Sequence, residues 1–237
     1  MILRRAGFAK QQAGCHAAAM KLLGSRMVAI FLVVVASAQL AGAADDGEQL
    51  ARAVWKASGG ENWSKVKELR FTFIVEENGK ELARAEHHWN VAAATDRVKW
   101  KGKDVTVNLA SPAQDEDNKA AYARWVNDSY WLLAPLKVLD PGVKRTAEGT
   151  KQLDEASFDT LRLSFEGVGL TPGDQYLLYI DPQTKLVRWW QYIPTSGKET
   201  LGTWDGYQTF GGLQLSTQHE FGGKTIRFAD VSVVADK

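Results

Sequence analysis

His87, His88 and His219 are the side chains in this sequence best suited to bind a metal ion or move a proton. Neighbouring residues of a strand point to opposite faces, so His87 and His88 cannot chelate one ion together. His87 and His219 can share a face, but their spacing is that of no known metal motif. Structural or surface roles follow for them, with no metal and no cofactor, although His87 on an otherwise apolar strand face could fix a ligand head group. Asn127-Asp128-Ser129 sets an amide, a carboxylate and a hydroxyl in succession between Trp125 and Trp131. Such residues compete with helical hydrogen bonding. They predict either a break or a buried polar contact that ties a helix to a sheet. Asp128 with a distant histidine is the one conceivable catalytic pair. Neither Gly-x-Ser-x-Gly nor His-Glu-x-x-His occurs. Asp115-Glu116-Asp117 suits a helix N-terminus, where acids complement the macrodipole and Asp115 or Asp117 can cap. A calcium loop would need more oxygen ligands and a glycine turn. No catalytic residue is assigned, and the chain is read as non-enzymatic.

The other chemistry on offer is aromatic. All nine tryptophans lie after residue 43. Indole brings a large apolar area and one N–H that needs a partner when buried. A domain so composed either packs a very aromatic core or lines an apolar cavity.

The first 43 residues read as an export signal. Arg4, Arg5, Lys10, Lys21 and Arg26 precede any acid, an apolar run follows from Met27 to Ala36, and Ala41-Gly42-Ala43 ends it as a cleavage site. A cut after Ala38 and a start at Met20 are the alternatives within this reading. The apolar run is shorter than the roughly 20 residues of a spanning helix. Ala43 stands where a lipidated cysteine would be, and the only cysteine, Cys15, lies upstream of the cut. The mature chain, 44–237, then carries neither lipid nor disulfide and depends on an ordinary hydrophobic core. Loss of the five basic residues leaves 24 Lys and Arg against 28 acids, so the net charge moves from +1 to −4. That balance argues against nucleic acid and anionic membrane surfaces as partners. A periplasmic or secreted monomer is expected.

The elements that must position these residues follow from periodicity. Residues 46–58 repeat apolar side chains at helical spacing (Leu50, Ala53, Val54, Ala57), and Gly59-Gly60 stops them. Four strands follow, the first two joined at Asn78-Gly79, a strong hairpin signal. Residues 116–139 return to helical spacing, with Pro135 expected to end or kink the helix. The remainder holds six or seven strands, including 175–180, 186–193, 199–205, 213–221 and 224–234, with a turn at Leu170–Asp174. This is an α+β arrangement in which a large antiparallel sheet bends over one or two helices. Strands 176–180 and 186–193 are apolar on both faces, so either both sides are covered or an aromatic patch around Trp189, Trp190 and Tyr192 is left for a protein partner.

Three strings carry a family resemblance: Ala121-Tyr122-Ala123-Arg124-Trp125-Val126-Asn127-Asp128-Ser129-Tyr130-Trp131-Leu132-Leu133-Ala134-Pro135, Val168-Gly169-Leu170-Thr171-Pro172-Gly173-Asp174-Gln175-Tyr176, and Tyr179-Ile180-Asp181-Pro182-Gln183-Thr184-Lys185-Leu186-Val187. With them the chain resembles the LolA/LolB-type superfamily of bacterial periplasmic lipoprotein carriers, in an uncharacterised secreted branch. The resemblance implies an unclosed half-barrel of about eleven antiparallel strands, with helices forming a lid over an apolar cavity. It also implies an arginine that anchors the lid, for which Arg84, Arg97 and Arg124 are candidates. In that frame Phe71, Phe73, Trp89, Trp100, Phe165 and Trp190 line the concave face, and Trp125 and Trp131 line the helical side. The function implied is binding of an apolar small molecule, lipid or lipoprotein. The same side chains interdigitated without a void would leave an envelope protein-interaction or sensor module instead.

Overall fold

Tight hairpins build most of the structure, a computed structural model that describes residues 46–165, 167, 170–171 and 173–236. The leader 1–43 with its cut after Ala43, and Pro172 of the expected turn, lie outside the described residues. Helix α1 covers residues 46–57 and is followed by a 3₁₀ segment, Gly60–Lys65. Gly59 turns the chain at a φ of 79°, and the Trp55 indole lies so close over Gly60 that a Cβ there would sit 2.1 Å from it. Strand β1 (Val66–Glu77) and strand β2 (Lys80–Asn90) are joined by Asn78-Gly79, both at positive φ, as a type I′ hairpin requires. Strands β3 (Thr95–Trp100) and β4 (Lys103–Asn108) extend the meander.

The chain then leaves the sheet as helix α2 (Glu116–Lys137), capped by Asp115, whose carboxylate accepts the Asn118 backbone N–H at 3.0 Å. Pro135 neither breaks nor visibly stops the helix where expected. It is buried in the last turn, and the helix ends at Lys137. Eight strands follow: β5 (Val143–Leu153), β6 (Ala156–Phe165), β7 (Gln175–Ile180), β8 (Val187–Ile193), β9 (Thr200–Thr203), β10 (Asp205–Phe210), β11 (Leu213–Phe221) and β12 (Lys224–Ala235).

The twelve strands form one sheet in the order β4-β3-β2-β1-β12-β11-β9-β8-β7-β6-β5, with β10 paired to β11 beside this path. The unclosed antiparallel sheet with a helical cover is therefore the observed fold. The sequence reading lacked β5 and β10: its strand 199–205 covers β9 and stops at Asp205, where β10 begins. The two strands that flank α2 in the chain, β4 and β5, lie at opposite ends of the sheet. The helix is thus the link between the two edges. Among the described residues no helix is long and apolar enough to cross a membrane.

Alternation then decides the core. Leu69, Phe71 and Phe73 of β1, Trp89 of β2 and Phe228 of β12 pack on one face against Leu132, Leu133 and Leu136 of α2. Leu161, Leu163, Leu178, Ile180 and Trp190 of the other half-sheet pack with Ala51 and Val54 of α1. Phe158, Leu177 and Tyr179 form a small cluster with Trp189 and Ile193, separate from those two. This answers the two-sided apolar pattern of β7 and β8 without an exposed patch, since Trp190 is buried and Trp189 and Tyr192 are half-buried.

Leu132 is 1% exposed and Leu82 is 44% exposed. Leu132→Ala is expected to lower the unfolding free energy by about 2–5 kcal/mol, and Leu82→Ala by less than about 0.5 kcal/mol, as read by urea denaturation.

Candidate functional site

The helix is fastened by a buried polar bridge. Strand β2 alternates Ala85, His87 and Trp89 toward α2, strand β3 presents Asp96 beside them, and Asp128 comes down from the helix. His87 Nδ1 donates to Asp96 Oδ2 at 2.7 Å, and Nε2 donates to Asp128 Oδ2 at 3.1 Å. With an aspartate on each nitrogen and its pKa raised above the ordinary value, the ring is an imidazolium at neutral pH and donates from both nitrogens. Phe71 stacks on it at 4.5 Å and 14°. Burial alone would push the ring's pKa down, but the hydrogen bonds to Asp128 and Asp96 outweigh it and raise the value to about 9. Asn127 donates to the second oxygen of Asp128 at 2.8 Å. The tie between helix and sheet expected from Asn127-Asp128-Ser129 is therefore present, and His87 serves it from within the protein. His219 lies apart, with Nδ1 3.2 Å from the Thr203 carbonyl, and burial pushes its pKa down to about 4.

Beside this bridge, on the flank of α2 that faces β6 to β8, an apolar groove of about 350 Å³ opens. Val126, Asn127, Tyr130 and Trp131 of the helix line one side. Phe165, Tyr176, Trp190, Tyr192 and Phe221 line the sheet side, together with the exposed Leu170 and Thr171. Trp131 meets Trp190 edge-on at 4.6 Å, and Tyr176 meets Trp190 at 4.7 Å. Gly202 makes room for this indole, because a Cβ there would lie 2.9 Å from both Trp190 and Phe221. Burial raises the Tyr176 hydroxyl to about 12 and that of Tyr130 well above its ordinary value, so both are neutral donors at physiological pH. Tyr192 donates to Asp174 at 2.5 Å, and this bond, followed by that from the Thr195 backbone N–H, holds Asp174 below the usual carboxylate range. A second depression, of about 370 Å³, is lined by Arg70, Glu86, His88, Arg97, Lys99 and Asp230, charges of both signs. Several of these are already paired, as in Arg97 with Asp104 and Arg70 with Glu68.

Of the eight residues named from the sequence, the groove brings together Trp131, Phe165 and Trp190. Phe71, Phe73 and Trp89 are buried in the core against α2, with Trp125 packed at its margin. Trp100 is buried with Val98, Val107 and Ala121. Tyr130 and Tyr176 were missed, and Tyr192 was named only as part of a patch for a protein partner; the adjacency of Tyr130 to Trp131 was an available signal, whereas Tyr176 meets Trp190 only through the pairing of β7 with β8. Of the arginine candidates, Arg84 forks Glu81, Arg97 forks Asp104, and Arg124 lies over the Trp100 ring at 5.4 Å. The arginine that reaches both helices is Arg145 of β5. It donates to the Val138 and Asp140 carbonyls just past the end of α2, and pairs with Glu48 of α1 at 3.2 Å.

No protein-family model matches the chain, and no curated protein matches it in sequence. Similar solved structures exist at low identity. A DUF1329 family protein from Desulfovibrio piger gives a TM-score of 0.48 at 10% identity over 81% of this chain and 93% of that one. A LolA superfamily protein from Nitrosomonas europaea gives 0.47 at 7% identity over 79% and 94%. An outer membrane lipoprotein-sorting protein domain from Vibrio parahaemolyticus gives 0.46 at 10% identity over 80% and 93%.

Because the His87 pKa lies above its ordinary 6.5 at about 9, folding takes up a proton at this ring. Its contribution to stability is complete below pH 6.5 and is lost as pH rises through 9, by an amount on the order of 3 kcal/mol. Chemical denaturation at a series of pH values is expected to show this fall in the native protein. Asp128→Asn, which removes one of the two carboxylates, is expected to lower stability at pH 6.5 and to flatten the slope.

Proposed function

We propose that the protein is exported, loses residues 1–43, and acts in the periplasm as a non-enzymatic monomer that binds an apolar ligand: an acyl chain, a lipid, or the lipid part of a lipoprotein. The observation that carries this reading is the groove between α2 and β6 to β8, about 350 Å³ in volume and walled by aromatic side chains. Small-molecule sites are concave, mostly apolar, and roughly 300–1,000 Å³ in size. Trp131 and Trp190 give the wall area, and the tyrosines give it a few neutral polar points. The paired charges around His87 are shut away from solvent behind the helix, so they hold the wall and meet no substrate.

Native mass spectrometry after gentle purification is expected to show a retained lipid that a pyrene-labelled long-chain alcohol displaces. Thr171 is exposed and lines the groove. Thr171→Trp is expected to fill part of that space and weaken probe binding about tenfold, while changing the unfolding free energy by less than about 0.5 kcal/mol. A protein that retains no lipid and binds no apolar probe would overturn the reading.

A further inference from the structure

The polarity of the groove's wall narrows what its occupant can be. Among the described residues that line it, none carries a charge. The polar groups of its lining residues are the hydroxyls of Thr171, Tyr130, Tyr176 and Tyr192, the amide of Asn127 and the indole N–H groups of Trp131 and Trp190. An anionic head group brought against them would leave water without a cation to meet it, and an unpaired buried charge is far more costly than a hydroxyl.

Two carboxylates stand just behind the wall, Asp174 and Asp128, the second of them paired with the His87 imidazolium. Asp174 accepts the Tyr192 O–H at 2.5 Å, and Asp128 accepts an Asn127 N–H at 2.8 Å. Both bonds turn donors away from the groove. Tyr192 is left with an oxygen that can only accept, and Asn127 keeps its carbonyl oxygen and one N–H. Burial keeps the hydroxyls of Tyr130 and Tyr176 protonated. The wall therefore offers neutral donors and acceptors together, backed by two carboxylates. That pattern complements a head group that is itself uncharged and both donates and accepts.

Resting on the reading of this groove as the binding site, we propose that it selects uncharged amphiphiles bearing a hydroxyl or amide head, and rejects carboxylates of the same chain.

The test compares dodecanol, dodecanamide and dodecanoate at pH 8 on the purified protein, read by the fluorescence of the groove tryptophans and by calorimetry. Because the chain is the same, chain burial cancels, and the alcohol and amide are expected to bind at least about tenfold more tightly than the carboxylate. Equal or tighter binding of dodecanoate overturns the selectivity and leaves the groove as a binding site. Failure of all three to bind overturns the groove itself. Leu170 lines the groove and is 54% exposed. Leu170→Lys adds a cation there without entering the core, so the affinity for dodecanoate relative to dodecanol is expected to rise several-fold. No gain with this variant counts against the charge explanation.

Discussion

The position of α2 over the sheet depends on the bridge from Asp96 through His87 to Asp128. Apolar packing alone leaves the rotation of this helix poorly determined. Tyr122, Trp125, Tyr130 and Trp131 are all half-buried, and Leu132, Leu133, Ala134, Pro135 and Leu136 are buried in succession, so apolar side chains lie around most of its surface. Over residues 130–136 a turn about the axis exchanges one apolar side chain for another, so the buried area changes little. The bridge removes that freedom. One carboxylate on the helix must meet one ring nitrogen of β2 while the other nitrogen meets β3. Buried ion pairs add little net stability over well-packed apolar residues, but breaking one strands a charge in a dry interior. Every other rotation of α2 leaves an aspartate or an imidazolium unpaired, so the interaction selects one packing more than it strengthens it.

With the rotation set, the two flanks of the helix differ. Toward β1, β2 and β12, the space is filled by Leu69, Phe71, Phe73 and Phe228 against three helix leucines. Toward β6, β7 and β8, the helix presents Val126, Asn127, Tyr130 and Trp131, and the wall opposite is built of ring systems. There Trp131 meets Trp190 edge-on at 4.6 Å. The filled flank and the open flank thus follow from which side chains each half of the sheet turns inward. The topology allows the difference, because α2 joins two edge strands at opposite ends of the sheet and so lies against both halves.

Much of this was legible in the sequence. Asn78-Gly79, Gly211-Gly212 and Gly222-Gly223 mark hairpins that the strands form, the first with a register shift between Val75 and Glu76. Alternation in β2 placed Ala85, His87 and Trp89 on one face before any contact was known. Strand β5 was not legible, because Val143–Leu153 carries few apolar residues and lies at an edge where half-burial imposes no alternation. The tie between Asn127-Asp128-Ser129 and the sheet was readable as a category, since such residues inside a helix need a partner. That the partner is His87, 41 residues away, depends on the crossing of α2 over β2, which no local pattern encodes. The groove shows the same limit. Tryptophan count announces aromatic walls, but whether two walls touch or stand apart is set by the rotation of α2, and hence by that long-range bridge.

The same bridge makes the two walls of the groove unequal. Asn127 belongs to both structures: it lines the groove, and its amide nitrogen holds Asp128. The helical wall is therefore bonded, through Asn127 and Asp128, to an imidazolium that is itself held by β3. Displacing it by even part of a turn would separate buried charges. Gly202 holds the Trp190 side in place from behind, where the indole has no room to retreat. What remains adjustable is the margin formed by Leu170 and Thr171, exposed and outside any strand. An occupant larger than the groove must be accommodated there, because the other two sides are fixed by charge and by contact. The groove then discriminates sharply in depth and at its helical wall, and weakly in the length of whatever extends past its open margin.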